Sequence, residues 1–118
     1  MLLALDISTS CTGYCLFDED ELIDIGSINL SKHKGLFEKA TQVKADIIKL
    51  NKKHNITHVA VEENLQAFRP GLSSAKTLMT LAQFNGVVRW ICHENLSVAV
   101  EAINVNTARK NVGLKIDK

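Results

Sequence analysis

Apolar positions in the first thirty residues fall into short runs divided by polar turns. Leu2 to Ile7 is a brief continuous run, the pattern of a strand buried on both faces. Gly13 to Phe17 reads as a second strand, Asp18-Glu19-Asp20 as a turn, and Leu22 to Leu30 as a third strand interrupted by Gly26. Short connections between three strands predict an antiparallel meander. The period then changes. Leu36, Ala40, Val43, Ile47 and Leu50 step by four, three, four and three, which predicts an amphipathic helix with lysines on its far side. Ser31 is a candidate N-cap, with Gly35 loosening the first turn.

Thr57 to Glu62 returns to a strand pattern, and 64–71 reads as a loop carrying the only proline. A second long helix is predicted from Ala75 to His93, capped by Ser73 or Ser74, with Leu78, Leu81, Val88 and Cys92 on one face. Gly86 inside it implies close packing against a neighbour, since glycine there loses ~1 kcal/mol of helix propensity. Ser97 to Asn104 is a fifth strand, and Thr107 to Asn111 starts a short helix that Gly113 would end. The order β-β-β-α-β-α-β predicts a mixed five-stranded α/β sheet, because strand-helix-strand units make parallel crossovers. Nothing resembling a linker or repeat divides residues 1–118, so one domain is expected.

Two of these strands end on an acid, Asp6 and Glu62. If the fourth strand lies parallel and adjacent to the first, ~4.8 Å away, the two carboxylates become neighbours. They would repel unless they shared a proton or bound a cation. A hard divalent ion, Mg²⁺ or Mn²⁺, suits an oxygen-only site, and such a site can activate water for phosphodiester cleavage. Alternation along the strand assigns Glu63 to the opposite face. The plainer alternative is that acids at strand ends meet solvent or cap a turn.

Composition narrows the class. With 46% hydrophobic and 23% charged residues the chain reads as a globular protein, and no apolar run approaches the ~18 residues of a membrane span. The start MLLALDIS has no basic segment and meets an acid at position 6, so a cytoplasmic protein without a secretory signal is expected. Cys11, Cys15 and Cys92 are odd in number and lack a C-x-x-C pair, which fits reduced thiols. The net charge of +1 conceals a segregation: residues 1–30 hold six acids and no Lys or Arg, whereas residues 31–58 hold seven lysines. Solvated helix faces are the better account of these lysines, and phosphate contact suits Arg69 and the tail with Arg109, Lys110, Lys115 and Lys118. The four histidines lack ligand spacing, and Trp90, Tyr14 and most phenylalanines are core candidates.

At "LALDISTSCTGYCLFD", "HVAVEENLQAF" and "SSAKTLMTLAQFNGVV" the chain resembles the ribonuclease H-like superfamily, and within it the RuvC-type Holliday junction resolvases. The order of elements agrees from Met1 to about Asn104. This resemblance implies Asp6 and Glu62 as catalytic metal ligands for Mg²⁺ (or Mn²⁺). It also implies an endonuclease acting on branched DNA, usually as a homodimer. The family completes its site with two aspartates on a helix after the fifth strand, so a C-terminally truncated domain is expected, with Asp117 as no substitute. Leu65 stands where the bacterial enzymes carry an aromatic, and Phe68 follows three residues later. The loop leaving the fourth strand offers Phe68, Arg69, Ser73 and Ser74, with Lys76 in the next helix, as nucleic-acid contacts.

Two rivals come from other classes. A non-catalytic DNA-binding or dimerisation module of the same fold needs no complete acid cluster. "DISTSCTG" also suits the phosphate turn of actin-like proteins and sugar kinases, which however need two domains. Ser73-Ser74-Ala75-Lys76 matches the S-x-x-K of serine acylases without their other motifs, and helix capping explains it.

Overall fold

The computed structural model describes residues 1–63 and 75–104. Its elements are β1 (Leu2–Asp6), β2 (Cys11–Asp18), β3 (Glu21–Asn29), α1 (Leu36–His54), β4 (His58–Glu63), α2 (Ala75–Leu96) and β5 (Val100–Asn104). This is the predicted order, with ends moved by a few residues. One sheet holds all five strands in the order β3-β2-β1-β4-β5. β2 pairs antiparallel with both β1 and β3, while β4 is parallel to β1 and to β5. The meander and the parallel half are both as the periodicity predicts.

Alternation divides the sheet into two unlike faces. Leu3, Leu5 and Ile7 of the first strand and its exit, Leu16 of β2, Ile28 of β3, and Val59 and Val61 of β4 are all buried. Against this face pack Ala40, Val43 and Ile47 from α1 and Phe84, Val88, Ile91 and Cys92 from α2. Each fully buried aliphatic side chain contributes about 1.5–3 kcal/mol. The other face carries Leu2, Ala4 and Asp6, then His58, Ala60 and Glu62, all partly or fully exposed. Both helices therefore lie on one side of the sheet.

The start of α1 corrects one expectation. Gly35, not Ser31, is the N-cap of α1: its backbone N–H donates to Glu38 Oε1 at 2.9 Å, the reciprocal half of a capping box. Ser31 is taken instead by Asn29, whose Oδ1 accepts from both its N–H (2.9 Å) and its hydroxyl (2.7 Å). At the other end Asn55 adopts the left-handed conformation, φ 52°, and its N–H closes on the Asn51 carbonyl at 2.9 Å.

In α2 the core side is Phe84, Asn85, Val88, Ile91, Cys92 and Leu96. Trp90, expected in the core, is 59% exposed, and a Cβ added to Gly86 would meet nothing within 4 Å. No helix among the described residues is long and apolar enough to cross a membrane. Gly26 does have a packing role. The Tyr14 ring lies over it, and a Cβ there would come within 2.7 Å of Tyr14 Cζ.

Candidate metal and nucleic-acid site

β1 and β4 run in register, Leu3 beside Val59 and Leu5 beside Val61. One residue further in the same register stand Asp6 and Glu62, at the carboxyl ends of two parallel neighbours. Paired residues of a parallel ladder share a face, so both acids belong to the face the helices leave uncovered. Asp6 is exposed and Glu62 half-exposed. Ligands of open α/β sheets gather outside the carboxyl ends of such strands.

The row continues across the sheet. Gly13 of β2 is the partner of Asp6, Ser27 of β3 the partner of Gly13, and Ile103 of β5 the partner of Glu62. Glycine at position 13 leaves the β2 flank of Asp6 open. A Cβ there would stand 3.9 Å from that of Asp6, an ordinary contact, so larger side chains would fill space beside the carboxylate.

The Ser/Thr-rich turn after Asp6 is fastened by its own hydroxyls. Thr12, fully buried, donates to the Ser8 carbonyl at 3.2 Å. The Ser10 N–H reaches Ser8 Oγ at 3.4 Å, and the Leu30 N–H reaches the Ser10 carbonyl at 2.9 Å. A chain leaving a buried strand on an acid is thereby turned back at once, with its backbone groups partnered. Leu30 ends the same interlock, so Lys32 and Lys34 follow at the acid end of the sheet; both are exposed.

On the Glu62 side the anchor comes from α2. Asn85, 6% exposed, donates from Nδ2 to the Glu62 carbonyl at 3.3 Å, and its Oδ1 accepts from Arg89 Nη1 at 3.4 Å. Sequence reasoning missed Asn85. One asparagine among apolar helix positions has no signature, and only the fold shows it facing inward.

Among the described residues, no group of three or more His, Cys, Asp or Glu side chains converges in a way that could hold an ion. Of the expected nucleic-acid contacts, Phe68, Arg69, Ser73 and Ser74 lie outside the described residues. Lys76 stands exposed in the first turn of α2. A groove of about 790 Å³ follows the uncovered face, lined by Met1, Leu2, Phe17, Thr57 and His58 at the amino-terminal ends of β1 and β4 and by Ala60 and Ile103 further along, with neither Asp6 nor Glu62 in its lining.

Strand order, the parallel central pair and one-sided helix cover define a ribonuclease H-like fold. No family model matches the sequence, and neither does any curated protein. Solved structures do. A structure of RuvC from T. thermophilus in complex with a Holliday junction substrate superposes with a TM-score of 0.76 at 16% identity, covering 94% of this chain and 68% of that one. Another Thermus thermophilus RuvC structure gives 0.66 at 18%, covering 95% and 68%. The yeast mitochondrial Holliday junction resolvase Ydc2 gives 0.63 at 12%, covering 98% of this chain and 55% of that one. At such identities the likeness is one of fold.

Proposed function

We propose that this chain is a metal-dependent endonuclease domain of the RuvC type, in which Asp6 and Glu62 hold Mg²⁺, or Mn²⁺ in its place, and a phosphodiester of branched DNA is cut. The observation that supports the reading is the register of β1 with β4, which runs to Leu5 beside Val61, the residues immediately before Asp6 and Glu62. The donor set fits the ion, because Mg²⁺ is commonly held by one or two carboxylates, with water and substrate phosphate supplying its other ligands. A bound divalent ion would neutralise the developing charge on the phosphate and lower the pKa of water. Asp6 and Glu62 hold their carboxylates at one place on a rigid sheet, and the hydroxyl-fastened turn keeps the strand end of Asp6 from drifting. Arg69, Phe68, Ser73, Ser74 and Lys76 make the DNA contacts in this reading, with the backbone as the main target. The domain works as a homodimer through the exposed side of α2, inside the cell.

The test is cleavage of a synthetic four-way DNA junction with Mg²⁺ or Mn²⁺. Asp6→Asn and Glu62→Gln should each reduce cleavage at least ~100-fold while leaving junction binding within a few-fold, since removing one charge-stabilising group typically loses that much rate. Full activity in either variant would refute the assignment. A second reading, a binding module without catalysis, is favoured by the lack of a third converging acid among the described residues. Tight junction binding with no cleavage under either metal would select it.

A further inference from the structure

We infer that Asn85 is a positioning residue for Glu62, an inference that rests on the metal-ligand reading of the preceding subsection. The backbone of Glu62 is held from two directions. Strand pairing places it in the sheet, and the Asn85 amide reaches it from α2 at 3.3 Å. A buried amide can be inserted in either of two orientations, and only one puts a donor toward a carbonyl. Arg89 decides between them. A guanidinium can only donate, so its approach at 3.4 Å fixes Oδ1 on the Arg89 side and leaves Nδ2 facing Glu62.

The residue's neighbours on the helix show why this is more than core filling. Phe84, Val88, Ile91, Cys92 and Leu96 are the other buried members of that face, and each packs by shape alone. An apolar residue would serve equally at position 85 if packing were its whole task. Instead the chain buries an amide there and satisfies both ends of it, which is favourable only when both partners are kept. The bond meets the strand at the main chain of Glu62 itself. Small movements of a carboxylate strongly affect a site that must hold an octahedral ion, so fixing the backbone beneath Glu62 fixes where its carboxylate starts.

The experiment measures Mn²⁺ binding to the full chain, without DNA, by calorimetry or electron paramagnetic resonance. Wild type should bind, and Asp6→Asn should abolish binding. Asn85→Leu and the shape-conserving Asn85→Asp should each weaken binding about 5–10-fold, and Arg89→Ala by a smaller factor. Val88→Ala, a buried change in the same helix that makes no bond to Glu62, separates positioning from stability. It should lower the melting temperature while leaving Mn²⁺ affinity unchanged. If Asn85→Leu and Asn85→Asp melt cooperatively and bind Mn²⁺ like wild type, Asn85 is a packing residue and the inference falls alone. If wild type binds no Mn²⁺, the metal reading falls and takes this inference with it.

Discussion

Burial pushes the Cys92 thiol up from its ordinary 9.0 to about 12, because no solvent reaches the sulfur between α2 and the sheet. Between those values the folded chain keeps a proton that the unfolded chain has released. The folded state then binds more protons, so stability must fall as pH rises above about 9. The slope from this one group approaches about 1.4 kcal/mol per pH unit. Tyr14 acts in the same direction above pH 10, raised first by burial and then by the Asp24 and Asp46 carboxylates. Urea melts of wild type and Cys92→Val at pH 8, 9 and 10 check the prediction: the wild type should lose stability between 9 and 10, and the variant should lose clearly less. Equal slopes would show that the thiol is not responsible. At this scale the sequence revealed some residues and concealed others. Asp6 and Glu62 could be singled out because each follows an apolar strand run. Asn85 and Trp90 could not, because whether a single helical side chain faces in or out depends on which side the sheet lies.

Helix α2 contains both a legible pattern and a misleading one. Its inward residues Phe84, Val88, Ile91 and Cys92 repeat as a helix packed on a sheet should. A second series, Met79, Gln83, Gly86 and Trp90, steps by four, three and four along the outside. Met79 is 63% exposed and Trp90 59%, with the open glycine between them. No part of this chain described by the structure is the close neighbour that Gly86 implies, and the outward series suits a second copy of α2 crossing at the glycine, where backbones can approach. Trp90→Glu should therefore weaken self-association at least ~100-fold, as loss of a central aromatic anchor does, without lowering the melting temperature of the isolated chain. Sedimentation of both proteins over a concentration series checks this, and a wild type that stays monomeric throughout removes α2 as an interface. The start of α1 shows how local competition defeats a capping rule. Ser31 has the right chemistry, but Asn29 engages both its hydroxyl and its N–H, so the helix waits until Gly35 and Glu38 can close its first turn.

Over the whole molecule, charge is sorted by position more than by amount. Acids occupy the meander of β1, β2 and β3, and lysines the helix after it, so the net charge of +1 says little about how DNA would meet the surface. Binding to a junction should weaken with salt, by about 0.9 log units per log unit of salt for each phosphate contacted. Arg69→Ala should reduce that slope by about 1; an unchanged slope in a salt titration would exclude Arg69 from the interface. The fold class was legible because element order and period are local properties. That β1 lies beside β4 is a long-range fact, which periodicity leaves open and which the sequence could only pose as a condition for bringing the two strand-end acids together. This pairing bears on the protein's biosynthesis. Leu2 and His58 are joined across an entire hairpin meander and a helix, and contacts so distant along the chain form late. During translation the three-stranded meander can assemble while β4 is still inside the ribosome. A nascent chain at that stage holds Asp6 without Glu62, one of the two proposed ligands. On the proposed reading the pair is completed only once β4 joins β1, so the order of synthesis sets the order in which the site is built.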